Sequence, residues 1–168
     1  MKKILAIAAA ICALAGCGIL HQDPEQSARD AAKVQQRLDS RRYMVNINYV
    51  RPSRGAGSAA TSSYSLTVNE GKVVSYLPYF GVARNLPYGG GNGLNFKGDI
   101  SNYQELKAPR DRRRILFTTS NGDDTLTYQL DVFDNGRASL SVRSNNRDTI
   151  DYDGYLDPDT DPAEEAEE

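Results

Sequence analysis

Arg114-Ile-Leu-Phe-Thr-Thr-Ser-Asn-Gly-Asp-Asp-Thr-Leu-Thr-Tyr-Gln-Leu-Asp-Val132 is the stretch that decides the fold. Its first part, Arg114 to Ser120, is rich in β-branched and apolar residues. Asn121-Gly122 is a strong hairpin signal, and Leu126, Tyr128, Leu130 and Val132 then alternate with polar residues at period two. Two antiparallel strands joined by a tight turn are the consequence. Toward the C-terminus Asp134-Asn135-Gly136 repeats the device, Ala138, Leu140 and Val142 mark a further strand, and Thr149 to Tyr155 supplies the last. Toward the N-terminus Ala108 to Asp111 reads as a turn, and Leu94-Asn-Phe96 with Ile100 as one strand. Lys72 to Leu77 pairs across Asn69-Glu-Gly71 with the strand of Tyr64, Leu66 and Val68. Arg51 to Ser62 is small and polar, hence a loop, and Tyr43 to Val50 alternates again. The reading is a mainly β chain: an antiparallel meander of about eight strands, curled into a barrel-like sheet or packed as a sandwich. No later segment has the helical period that parallel crossovers need.

One helix precedes the strands. Asp23 caps it, Pro24 suits its first turn, Gln26 stands three residues after the cap, and Ala28, Ala31, Val34 and Leu38 form a narrow apolar stripe.

The first residues set the compartment. Lys2 and Lys3 precede an apolar run from Ile4 to Ala15, too short to span a bilayer, and Leu14-Ala15-Gly16-Cys17 closes it. That is a lipobox: residues 1–16 are expected to be a lipoprotein signal peptide, Cys17 the lipidated residue and 17–22 a tether. The single domain is expected over 23–156. Cleavage before Cys17 also removes Cys12, so a disulfide is excluded. The implied location is exported and membrane-anchored by lipid, at the outer membrane of a Gram-negative envelope.

The net charge of −2 conceals an asymmetry. Cys17 to Ile150 holds 18 bases and 13 acids, whereas Asp151 to Glu168 holds nine acids and no base. Residues 157–168 lack large apolar groups and read as a disordered acidic tail. His21, the only histidine, falls in the tether, away from any rigid nucleophile; Ser-His-Asp and Cys-His catalysis and histidine-cysteine zinc sites drop out on that count. No cofactor is implied, since Gly89-Gly-Gly-Asn-Gly93 lacks the lysine and helix of a phosphate-binding loop.

Val74-Ser-Tyr-Leu-Pro-Tyr-Phe-Gly81 with Ala83, Leu94-Asn-Phe96, Asn135-Gly-Arg-Ala138, Ser144 to Arg147, Ile150, Tyr152 and Gly154 together resemble bacterial domain-of-unknown-function family 4251. The resemblance covers most of Tyr43 to Tyr155 and implies a small exported protein of Gram-negative bacteria, of a kind that includes lipoproteins. Val82 and Arg84 depart from it, standing where a basic residue and an aromatic are common in the family. It supplies no reaction.

Two surfaces are candidates for function. Tyr76, Pro78, Tyr79, Phe80 and Tyr88 are suited to an exposed aromatic patch that stacks on a sugar or grips a protein partner, or else to closing one end of the core. Arg110, Arg112, Arg113 and Arg114 are suited to an anion-facing patch, or else to a solvated turn that guards the strand after it. Nucleic acid is not an expected partner outside the inner membrane. The carboxylates Asp123, Asp124, Asp131, Asp134, Glu70 and Glu105 all read as turn residues, so a hydrolase ranks below a non-catalytic binding module. A small apolar or glycan ligand inside the curled sheet is the alternative.

Overall fold

In the computed structural model the Asn121-Gly122 hairpin is formed, and around it nine antiparallel strands make one nearly closed, barrel-like sheet. The structure describes residues 24–81, 94–109, 111–122, 124–160 and Pro162. Helix α1 (Pro24–Asp39) is followed by β1 (Arg42–Pro52), β2 (Ser58–Asn69), β3 (Lys72–Leu77), β4 (Leu94–Asp99) and β5 (Ser101–Ala108). Then come β6 (Arg112–Asn121), β7 (Asp124–Phe133), β8 (Arg137–Ser144) and β9 (Ile150–Asp157). Their spatial order is β4-β3-β2-β1-β9-β8-β7-β6-β5. The chain thus enters the sheet at its middle. The run β1 to β4 extends one way, and β9, which pairs with β1, leads back through β8 to β5 on the other side.

Three expectations change. The segment read as one strand from Leu94 is two, because the chain breaks at Ile100, whose N–H donates to the Gly71 carbonyl (2.7 Å). Its first part pairs with β3 and its second with β6, so this single run nearly bridges the two ends of the sheet. At the crossing, Gly98 lets β4 approach β6; a Cβ there would lie 2.8 Å from Thr119 Oγ1. Second, most of the loop expected over 51–62 is strand: Tyr49 and Val50 pair with Ala59 and Ser58. Third, Glu105 is not a turn residue but lies within β5, opposite Ile115.

Inward positions follow the period-two pattern and fill the interior. Tyr43, Val45, Leu66, Val68, Val73, Ile115, Phe117, Leu130, Leu140 and Tyr152 are all buried in one core cluster. Phe117 and Tyr128 stack with ring centres 4.8 Å apart. The Asn69-Glu70-Gly71 turn demands left-handed backbone at its two central residues (φ 45° and 98°), which is why glycine stands at the second. Helix α1 closes one end. Its Val34 and Leu38 enter the core, Gln35 donates to Asp134 (2.8 Å), and Arg37 donates to the Pro158 carbonyl (3.1 Å). Of the acidic segment expected from 157, Asp157 ends β9 and Asp159 meets Lys33 (2.7 Å); residues 161 and 163–168 lie outside the described residues.

Candidate functional site

Of the segments that carry the family resemblance, residues 74–81, 94–96 and 144–147 come together at one end of the sheet, whereas residues 135–138 lie at the other end of β8, beside α1. Within β3 the side chains alternate, so Val73, Ser75 and Leu77 point inward and Tyr76 outward. A hydroxyl in an inward row requires a partner. Ser75 Oγ donates to the Leu94 carbonyl (2.7 Å) and accepts from Tyr128 Oη (3.2 Å), which ties β3, β4 and β7 together inside the core. Pro78 directly follows the strand, and its carbonyl accepts from the buried Tyr152 Oη of β9 (2.7 Å). Burial holds the Tyr152 and Tyr128 phenols well above the ordinary tyrosine range, so both stay protonated donors.

Tyr79 folds back over Gly81, where a Cβ would lie 2.5 Å from the phenol oxygen. Among its partners are the Asp148 carbonyl (3.2 Å) and Arg147, whose guanidinium lies 5.4 Å from the ring centre. Burial is the main cause of the upward shift of its phenol. Arg147 Nε donates to Asp124 Oδ2 (3.0 Å) and Ser144 Oγ donates to Asp124 Oδ1 (2.6 Å). The two charged side chains are only 10% and 8% exposed, so each compensates the other in a desolvated place. Asp124 has a structural task beyond its turn position. It anchors the β8–β9 connection to the β6–β7 hairpin, and both of its oxygens are engaged.

The proposed aromatic patch is therefore divided. Pro78 is buried and Tyr79 is half-buried against Arg147, both serving closure of the core, whereas Tyr76 and Phe80 remain 43% and 55% exposed. Tyr76 rests on Tyr64 with ring centres 5.4 Å apart. Tyr88 lies outside the described residues, as do Cys17 and Arg110.

The arginine run is likewise split by strand alternation. Arg114 makes two hydrogen bonds to Asp131 (2.8 and 2.9 Å), and Arg112 approaches the same carboxylate at 3.6 Å and covers Phe133. Arg113 points to the other face, where it binds Asp39 of α1 (2.5 Å), Gln35 (3.1 Å) and Glu105. Beside it Tyr43 and Tyr103 share a hydrogen bond (3.4 Å), and burial raises the Tyr103 phenol to about 12. Each of the three described arginines thus has a carboxylate partner.

Sequence reasoning assigned no role to Tyr152, Ser144, Arg147 or Ser75. The usable signal was parity: Ser75 falls between Val73 and Leu77 in an inward row, and Tyr152 is in phase with Ile150.

The model of a domain of unknown function, DUF4251, matches residues 25–156. The chain is similar in fold to a DUF4251 family protein from Bacteroides eggerthii DSM 20697, known from a 1.95 Å crystal structure. The TM-score is 0.57 at 22% identity, over 78% of this chain and 91% of that one. No curated protein matches the chain.

Proposed function

This chain belongs to the domain-of-unknown-function family DUF4251, and from that premise we propose that it is a non-catalytic binding module of the cell envelope, held by lipid on Cys17. The carrying observation is the pair of exposed aromatics, Tyr76 and Phe80, beside a hydrogen-bonded cluster that fixes the backbone between them. A rigid frame with projecting rings suits recognition, because little side-chain entropy is lost on contact. The interior is filled by side chains, which weighs against a ligand held inside the sheet. Asp124 and Asp131 are engaged by arginines, which weighs against acid–base hydrolysis. Anchoring rests on the lipobox that ends at Cys17, and an outer-membrane location follows from it as part of the proposal.

The test is made in cells, with a photo-crosslinking side chain at position 80 or 76 and a control at the exposed Arg29 of α1. We expect adducts with an envelope component from the first two positions and none from the third. Membrane fractionation of Cys17→Ser is the second arm, with release into the soluble fraction expected. No adduct from either aromatic position would overturn the binding role, and membrane retention of the serine variant would overturn the lipid anchor.

A further inference from the structure

The register of the sheet places Asn95 of β4, Tyr76 of β3, Ser65 of β2, Asn46 of β1 and Tyr155 of β9 side by side in one row. All five lie on the outward side, out of phase with the core residues of their strands. The two tyrosines are 43% and 48% exposed, and Ser65 and Asn46 between them are half-buried. The row carries a hydroxyl, two amides and two phenols, with no charge until Arg137 of β8 at its far end. The adjoining row has Lys97 at one end and Asp157 at the other. Tyr76 is three strand spacings from Tyr155, about 14 Å.

We propose that this row is a platform for an uncharged, polyhydroxylated polymer, a neutral polysaccharide, with Tyr76 and Tyr155 as its two stacking rings. The proposal rests on the binding-module reading and names its ligand class. Three features of the row carry it. Phenol rings offer flat apolar faces that fit the C–H faces of sugar rings, and Tyr64 holds the Tyr76 ring in place. Asn46, Asn95 and Ser65 supply donors and acceptors that match hydroxyls without the desolvation cost of a charge. The absence of charge between the rings is complementary to a neutral ligand and offers nothing to a sulfated or acidic one. Their separation calls for a ligand longer than one ring.

Affinity electrophoresis of the full chain tests this, in native gels cast with dextran, mannan or pullulan, and with dextran sulfate as the charged counterpart. Retardation by at least one neutral polymer is expected. Tyr155→Ala and Tyr76→Ala should each weaken it about tenfold, the effect of losing roughly one stacking contact. Tyr155→Phe should leave it unchanged. If Tyr155→Ala does not fold, Asn46→Asp gives the same reading by placing a charge in the row. Retardation by dextran sulfate alone, by no neutral polymer, or equally for Tyr155→Ala and the unaltered chain overturns the platform. Crosslinks from position 80 that persist in that event leave the binding module standing and remove only its saccharide ligand.

Discussion

Gly154 sits where β9 passes the irregularity in β1 between Ile47 and Tyr49, and a Cβ there would run into the Asn46 carbonyl oxygen and crowd the Ile47 backbone. Both obstacles are main chain, so no rotamer change relieves them. Gly154→Ala is expected to destabilise the domain by about 1–3 kcal/mol, the usual cost of overpacking. Urea unfolding measures it, and an unchanged midpoint would show that β1 and β9 can part without penalty. The same β1 irregularity sets Tyr49 on the outer side and Val50 inward, so Gly154 also helps to fix which residues face solvent. Part of this was readable beforehand: a glycine in phase with Ile150 and Tyr152 signals close approach of another backbone. Which backbone approaches was not readable, because the partner carbonyl is more than a hundred positions away in the chain.

Among the elements, α1 and β6 show what alternation reveals and what it leaves hidden. Three consecutive arginines on a strand must divide two and one between its faces. Their carboxylates lie 17 residues away for Arg114, and 8 and 74 for Arg113, all on other elements whose pairing no local pattern announces, so the run resembled a solvated turn. The split of β4 from β5 was hidden for a related reason. The register of β5 shifts between Ser101 and Gln104, which spoils its period. Likewise Ser58 to Ser63 contains no large apolar residue to announce a strand, and pairing with β1 extends into it regardless. Helix α1 was readable from its stripe, of which Val34 and Leu38 are buried, while its expected cap, Asp23, lies outside the described residues; Leu38 carries its attachment. That side chain is fully buried in the core cluster, whereas Ala28 is exposed. Leu38→Ala should cost about 2–5 kcal/mol in urea or thermal unfolding, and Ala28→Ser well under 1. Equal effects of the two would mean that α1 does not close the end of the sheet.

For the molecule as a whole, a core built on tyrosines ties stability to alkaline pH. Burial raises the phenols of Tyr43, Tyr128 and Tyr152, and brings Tyr103 to about 12, against an ordinary value near 10. Above pH 10 the unfolded chain releases these protons while the folded chain retains them. The unfolded state then binds fewer protons, so stability is fully present below about pH 10 and falls as pH rises toward 12 and beyond. At the acid end Asp157 acts in the opposite sense. Burial alone would raise its carboxyl, but hydrogen bonds from the Asp159 amide and Thr160 outweigh it and hold the value below 3.8. Its contribution is present above that pH and is lost as pH falls further. An alkaline titration followed by tyrosinate absorbance and circular dichroism together should show the three buried phenols and the half-buried Tyr103 ionising in one cooperative step that coincides with loss of the sheet. Independent titration of all ten tyrosines near pH 10, with the sheet intact, would mean that the phenols of the core are open to solvent and that the hydrogen bonds from Tyr152 to Pro78 and from Tyr128 to Ser75 do not hold β3 in place.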